Sequence, residues 1–228
     1  MGSLFLVSIL PGILWLFYFY RKDLYEPEPK KLIGRVFIGG MLMVIPAGYL
    51  EGFGRNGLVL ARNTGDLFMI FIYSLFLIGL IEEGLKFLVL GFVLRPFKEL
   101  DEPVDGVIYG ITVGLGFAAL ENLLYTQALG YQVGLWRAVV TSLAHAAFTG
   151  WGARLLTKSS RVNWFWRFLA GWGLALFFHG LYDFLLLTGI PFLSWGAFLL
   201  AGALLYLLLR EIRRSVSASP FRMKRVDP

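Results

Sequence analysis

Residues 67–94, LFMIFIYSLFLIGLIEEGLKFLVLGFVL, are the stretch that most directly indicates the fold. The run exceeds the roughly 20 residues that a helix needs to cross a bilayer, and only Glu82, Glu83 and Lys86 within it are charged. An ionisable side chain in hydrocarbon costs on the order of 3 kcal/mol, so such groups persist where they face one another, a cavity or an ion. The stretch therefore predicts a transmembrane helix that contributes to a buried polar site.

The composition of the whole chain is that of a membrane protein. Hydrophobic residues make up 57% of the sequence and charged residues only 16%, with a mean hydropathy of +0.69; a soluble domain carries about a quarter charged residues. Seven runs are long enough to span a bilayer, namely 3–20, 33–53, 67–94, 104–128, 136–157, 164–187 and 192–210. We therefore predict an all-α polytopic transmembrane bundle, with one integral membrane domain over residues 1–214 and a basic, disordered cytoplasmic tail over residues 215–228.

The distribution of the 21 Lys and Arg residues predicts the orientation of the bundle. Lys86 lies within a span, and Arg55, Arg62 and Arg137 are the basic residues of the even-numbered connections; the others flank the odd-numbered connections or lie in the tail. By the positive-inside rule, the amino terminus is outside and the tail is cytoplasmic. The net charge of +6 thus reflects topology and not a nucleic-acid-binding face. The first span has no basic segment before it and no A-x-A-like site after it, so we interpret it as a retained span.

The two histidines of the chain and four carboxylates lie within these spans. Lys86 is a helical neighbour of Glu82 and Glu83, at i+4 and i+3, and Asp183 follows His179 at i+4, where it can orient the imidazole. Two histidines in neighbouring spans, with glutamates that lack obvious partners, predict a functional cluster for metal binding or acid–base chemistry. The chain has no cysteine, so a metal would be held by His and carboxylate. The full set of intramembrane candidates is Glu82, Glu83, Lys86, Glu121, His145, His179 and Asp183.

A glycine repeat in the fourth span predicts how helices approach each other near this cluster. Gly106, Gly110 and Gly114 recur every fourth residue and form a small-residue face that permits close helix packing. This face would bring Glu121, and Asn122 beside it, within reach of another helix. The pairs Glu26/Glu28 and Asp101/Glu102 lie outside the spans and are interpreted as caps and turns at the membrane interface.

Several separate motifs occur in one order between about residue 20 and residue 187. They are DLYEPEP at 23–29, EEGLK at 82–86, DEPVDG at 101–106, FAALEN at 117–122, the span carrying His145, and HGLYD at 179–183. Together they resemble the PrsW family of intramembrane proteases, which is related to the type II CAAX prenyl endopeptidases. In those endopeptidases the second motif ends in histidine, whereas this chain has Glu121 in that place.

The resemblance implies a membrane-embedded metallopeptidase of the bacterial or archaeal plasma membrane. Its substrate would be a membrane-anchored protein, since the family's known role is extracytoplasmic-side cleavage of an anti-sigma factor. His145, His179 and Glu121 would bind Zn²⁺, and Glu82 would activate a water, with Glu83 in support. Lys86 would pair with Glu83 or stabilise an oxyanion, Asp183 would hold His179, and Asn122 would bind substrate backbone.

Three alternatives remain open at this point. The first is a metal-free protease in which Glu82 and a histidine activate water directly. The second is a transporter coupled to protons or cations, although the sequence shows no repeated halves of the kind that such proteins often have. The third is a non-catalytic membrane scaffold.

Overall fold

The computed structural model describes residues 2–95, 98–157 and 163–222, and its regular elements there are all helical. Five continuous helices are long and apolar enough to cross a membrane. They are α3 (Lys30–Gly52), the helix Leu67–Val93, α7 (Asp105–Leu129), α10 (Trp164–Leu187) and α11 (Pro191–Ser217). These helices confirm the prediction of a multi-pass helical membrane protein.

The two other predicted spans correspond to less uniform helices. The run 3–20 forms two short helices, α1 (Gly2–Ser8) and α2 (Leu10–Tyr20). The run 136–157 lies in a helix with three parts, α8 (Tyr131–Trp136), a π-helical segment (Arg137–Thr141) and α9 (Ser142–Ala153). Polar residues such as Gln132, Arg137 and His145 lower the hydropathy of this helix, which is not among the five. The count of seven spans therefore stays a prediction.

Helix α7 forms the centre of the bundle. Its most apolar window is 78% buried, compared with 22–33% for the other four membrane-length helices. It packs most extensively against α9 and α3. A Cβ atom at Gly114 would lie 2.7 Å from the carbonyl oxygen of His145, so glycine is required for this approach. The close packing predicted from the glycine repeat is confirmed.

The helix Leu67–Val93 is interrupted by a wider turn. It consists of α5 (Leu67–Tyr73), a π-helical segment (Ser74–Gly79) and α6 (Leu80–Val93). It follows the short helix α4 (Arg55–Thr64), which ends at Gly65 with φ of 70°, a left-handed conformation that glycine adopts without strain. Asp66 then caps α5 by accepting a hydrogen bond from the backbone N–H of Met69 at 3.0 Å.

The last helix continues beyond the boundary predicted at residue 214. Helix α11 ends at Ser217, and Ser215 and Val216 are buried. Arg154, which follows α9, forms an ion pair with Glu211 at 2.7 Å between Nε and Oε1. Residues 218–222 of the predicted tail follow the helix, and residues 223–228 lie outside the described residues.

Candidate active site

Two π-helical segments lie just before residues of the polar cluster. The segment Ser74–Gly79 ends three residues before Glu82, and the segment Arg137–Thr141 ends four residues before His145. A π-helical turn holds extra backbone per turn and so rotates the side chains that follow relative to a regular helix. The two segments therefore help to determine the directions in which Glu82 and His145 point.

Lys86 is at the centre of the cluster and is fully buried. Its Nζ lies 3.1 Å from Glu82 Oε2 and 2.8 Å from Glu83 Oε1, so the predicted helical pairs are confirmed. The same Nζ lies 2.9 Å from Nδ1 of His145 on α9 and 4.1 Å from the ring centroid of Phe117. The ammonium group thus links two glutamates on α6 to a histidine on another helix.

Both oxygens of the fully buried Glu83 are engaged. Oε1 lies 2.8 Å from Lys86 Nζ and 2.9 Å from His179 Nδ1. Oε2 accepts a hydrogen bond from the Thr149 hydroxyl at 2.9 Å. A carboxylate with all these contacts is suited to holding other groups in position.

The His179 imidazole is constrained on several sides. Its Nε2 lies 3.3 Å from Asp183 Oδ2, the partner predicted at i+4, and 3.8 Å from Glu82 Oε2. The two imidazole rings of the cluster, His179 and His145, meet edge to face with centroids 4.8 Å apart. Phe148 stacks on His179 at 5.4 Å. The two histidines therefore converge, as predicted from the sequence.

Glu121 lies at the edge of the cluster. Its Oε2 is 3.1 Å from Nε2 of His145 and 2.7 Å from Nη2 of Arg137. The Arg137 guanidinium also lies over the ring of Tyr125, 3.7 Å from its centroid. A nearby cation thus compensates the charge of Glu121.

The side chain of Asn122 is fully buried and bonded at both ends of its amide. Its Nδ2 donates to the Ser142 hydroxyl at 2.9 Å, and its Oδ1 accepts from Arg137 Nε at 3.2 Å. These bonds tie α7 to the helix that carries His145.

All eight residues proposed from the sequence belong to one connected network of polar contacts. Asn122 joins it through Arg137, and the others are linked through Lys86, Glu83 and the two histidines. The network comprises Glu82, Glu83, Lys86, Glu121, Asn122, His145, His179 and Asp183.

Arg137, Thr149 and Glu51 also belong to this region, although they were not among the candidates predicted from the sequence. Arg137 had been assigned to a connection, and the Thr149 hydroxyl carries no charge that would mark it. Glu51 on α3 lies close enough to Glu82 and Glu121 for like charges on these groups to repel one another, and its Oε1 is buried without a hydrogen bond among the described residues. Glu51 could have been found, because it is an ionisable residue within the predicted span 33–53.

The donor set of the cluster fits a divalent metal. Glu82, His145 and His179 are all buried, and each offers one ligand atom within 4.8 Å of the others. Two imidazoles and a carboxylate are the three protein ligands of many hydrolytic zinc sites. Glu121 is not part of this three-residue group. A metal on these atoms would compete with the Lys86 ammonium, which contacts Glu82 and His145.

Comparison with known proteins relates most of the chain to one family. The family model described as PrsW family intramembrane metalloprotease matches residues 28–209. Protease PrsW of Geobacillus kaustophilus (strain HTA426) is 33% identical over 222 residues, which cover 94% of this chain and 93% of that protein. Protease PrsW of Bacillus subtilis (strain 168) is 34% identical over 195 residues, with coverages of 82% and 84%. The search of solved structures found no significant match.

Proposed function

Because this chain belongs to the PrsW family of intramembrane metalloproteases, and is therefore a PrsW-type membrane protease, we propose that its buried Glu/His cluster is the active site. The observation that carries the proposal is the convergence of Glu82, His145 and His179, from three helices, within 4.8 Å. The chemistry is hydrolysis of a peptide bond in a membrane-anchored protein, with an anti-sigma factor as the substrate class that the resemblance implies. Family membership lends no support to the transporter and scaffold alternatives.

We propose His145 and His179 as metal ligands, with Zn²⁺ as the metal that suits this donor set. Two glutamates compete for the third ligand position. The proximity of Glu82 to both imidazoles supports Glu82, whereas Glu121, the ligand proposed from the sequence, is bonded to Arg137. The roles assigned from the sequence would then be exchanged, with Glu121 as the group that accepts a proton from water and returns it to the leaving amine.

A bound metal supplies Lewis-acid activation of water and of the scissile carbonyl. The chain's own residues organise the site around it. Glu83 contacts Nδ1 of His179 and would fix the orientation of the ring, which leaves Nε2, the nitrogen beside Asp183 and Glu82, to bind the metal. Arg137 orients Glu121, which keeps a carboxylate beside His145.

The test uses full-length protein purified in detergent, with a membrane-anchored peptide as substrate. Glu82→Gln and Glu121→Gln are compared with Glu99→Gln, which changes an exposed carboxylate outside the spans. Loss of bound zinc in Glu82→Gln, with retention in Glu121→Gln, supports the exchanged roles, and the opposite pattern supports the assignment made from the sequence. Cleavage by both variants at the wild-type rate would reject this cluster as the active site.

Chelation separates the metal mechanism from the metal-free one. The metal-free alternative has one specific observation in its favour, namely the contact of the Lys86 ammonium with both Glu82 and His145. We expect exhaustive chelation to abolish cleavage and Zn²⁺ to restore it. If the chelated protein contains no measurable zinc and still cleaves the peptide at the full rate, the result would support the metal-free mechanism.

We also propose that the protein lies in the plasma membrane with seven spans, its amino terminus outside and its tail in the cytoplasm. The asymmetry of Lys and Arg supports this topology. Because the chain has no cysteine, single substitutions report on it directly. We expect an impermeant maleimide to label Asn63→Cys in intact cells and to label Asp101→Cys only after lysis; labelling of both before lysis would contradict the topology.

A further inference from the structure

A second group of buried carboxylates lies away from the proposed active site. Asp23 and Glu28 belong to the connection between α2 and α3, and Asp105 is the first residue of α7. Each offers an oxygen within 4.8 Å of the others, and none of the three is more than 4% exposed. Asp105 precedes Glu121 by 16 positions on the same helix, which corresponds to about 24 Å at 1.5 Å per residue.

Few hydrogen bonds satisfy these carboxylates. Neither oxygen of Asp23 accepts a hydrogen bond of normal geometry from the described residues, and Oδ1 of Asp105 accepts none either. The other oxygen of Asp105 accepts from the backbone N–H of Glu102 at 2.5 Å. Glu28 Oε2 accepts from the Tyr109 hydroxyl. Three buried carboxylate oxygens of this group, two on Asp23 and one on Asp105, therefore lack a hydrogen bond of normal geometry among the described residues.

No basic side chain compensates this negative charge within the described ranges. The ion pairs of Lys86, Arg137 and Arg154 lie elsewhere. Glu102, which is 1% exposed, adds a further carboxylate whose Oε2 also lacks a hydrogen bond. An uncompensated buried ion costs several kcal/mol, so a cation or bound protons must neutralise the group.

The chemistry of the donors selects the kind of cation. All of the available ligand atoms are oxygens, and three carboxylates carry up to three negative charges. Hard divalent ions prefer such sites, whereas zinc prefers sites with nitrogen or sulfur ligands. Protons are the competing occupants, because burial and the neighbouring carboxylates raise the pKa of Asp23 to about 7 and that of Glu28 to about 9.

We propose that Asp23, Glu28 and Asp105 bind one hard divalent cation, Mg²⁺ or Ca²⁺, at the end of the bundle remote from the peptidase cluster. This site is independent of the proposed active site and has a structural role. It joins the connection after α2 to the start of α7. Glu102 extends the link to the end of α11, because its Oε1 accepts a hydrogen bond from the Ser219 hydroxyl at 2.5 Å.

The test measures cation binding by full-length protein in detergent, loaded with Zn²⁺ and freed of other metals. Equilibrium dialysis with Ca²⁺ and with Mg²⁺ is compared between the wild type, Asp23→Asn and Asp105→Asn. The asparagine at position 105 keeps an oxygen that can accept from the Glu102 N–H. Asp101→Asn is the matched control, since Asp101 is exposed and close in sequence.

We expect one Ca²⁺ or Mg²⁺ per wild-type chain, and an affinity lower by about tenfold or more in Asp23→Asn and Asp105→Asn, because each variant removes a ligand charge. Asp101→Asn and His179→Ala should bind as the wild type does. The cation should raise the thermal unfolding temperature of the wild type and not that of Asp23→Asn.

Absence of binding at millimolar cation would overturn the proposal, as would equal affinity in all variants. If Asp23→Asn unfolds at a higher temperature than the wild type at saturating cation, protons occupy the cluster and the proposal is wrong. If the aspartate variants do not fold, the wild type loaded with Zn²⁺ is titrated with Mn²⁺, and the bound Mn²⁺ is measured by electron paramagnetic resonance. One bound Mn²⁺ displaced by Ca²⁺ supports the site, and no bound Mn²⁺ rejects it.

Discussion

At the scale of single residues, Glu83 illustrates how a buried charge is retained in a membrane protein. Its carboxylate contacts an ammonium group, an imidazole and a hydroxyl, each on a different part of the bundle. Removal of one partner from a buried pair leaves an uncompensated charge and costs more than an exposed pair would. Glu83 therefore contacts both Lys86 and His179, and each of its oxygens has a partner, which supports a positioning role for it in the proposed site.

The hydroxyl of Thr149 provides a mild test of this role. Thr149→Val removes the hydrogen bond to Glu83 Oε2 while it preserves the shape of the side chain. We expect the free energy of unfolding to fall by about 1–3 kcal/mol, because a buried acceptor of a charged group is left unsatisfied. Peptide cleavage should fall with it, as measured by the initial rate.

Thr149→Ser is the control, because it keeps the hydroxyl and should retain most of the stability and the rate. If Thr149→Val and Thr149→Ser behaved alike, the hydrogen bond to Glu83 would have no positioning role.

At the scale of elements, the contact between α7 and α9 determines the position of His145. The backbones approach so closely that a Cβ at Gly114 would meet the His145 carbonyl group. Small residues replace large side chains in such membrane contacts, and interhelical packing takes the place of hydrophobic burial as the main attractive force. The same contact brings Glu121 on α7 to His145 on α9.

Substitution of Gly114 should therefore affect both packing and chemistry. We expect Gly114→Ala to lower the free energy of unfolding by about 1–3 kcal/mol, since the backbones must separate to admit the methyl group. The shift of His145 should also reduce cleavage. Thermal unfolding and the initial cleavage rate measure the two effects.

Gly48→Ala on α3 is the matched control, because a Cβ there has no heavy atom within 4 Å. Its stability should change by about 0.5 kcal/mol or less. An equal loss in both variants would mean that the loss does not come from the close approach of α7 and α9, since alanine is intrinsically the better helix former.

At the scale of the whole molecule, the end of α11 contacts the connection between α6 and α7. Ser219 follows α11 and donates to Glu102, which precedes α7. The two residues are far apart in sequence and both are buried. The contact ties the end of α11 to the connection before the central helix.

Ser219→Ala should weaken the contact between the end of α11 and the connection before α7. The substitution leaves both oxygens of the buried Glu102 without a hydrogen bond, and we expect a loss of about 1–3 kcal/mol in the free energy of unfolding. Ser217→Ala is the comparison, because Ser217 is exposed and its hydroxyl bonds only within its own helix. A loss no greater than that of Ser217→Ala would show that the contact does not stabilise the bundle.

Sequence alone determined the features that depend on local geometry and on transfer from water to lipid. Hydropathy identified the five membrane-length helices to within three residues at each end, except that α11 continues seven residues beyond the predicted span 192–210, because each helix must place a long apolar run in the bilayer. The pairs of Lys86 with Glu82 and of His179 with Asp183 were also accessible, since residues four apart on a helix are neighbours whatever surrounds them.

Only the tertiary structure decided which distant groups meet. The contacts of Lys86 with His145 and of Glu121 with Arg137 depend on how the helices pack and on the rotation introduced by the π-helical segments. Glu28 was interpreted as part of an interfacial cap or turn, and its convergence with Asp23 and Asp105 could not be predicted for the same reason. Helix periodicity fixes neighbours within one helix, but contacts between helices are selected by the packing energy of the whole bundle.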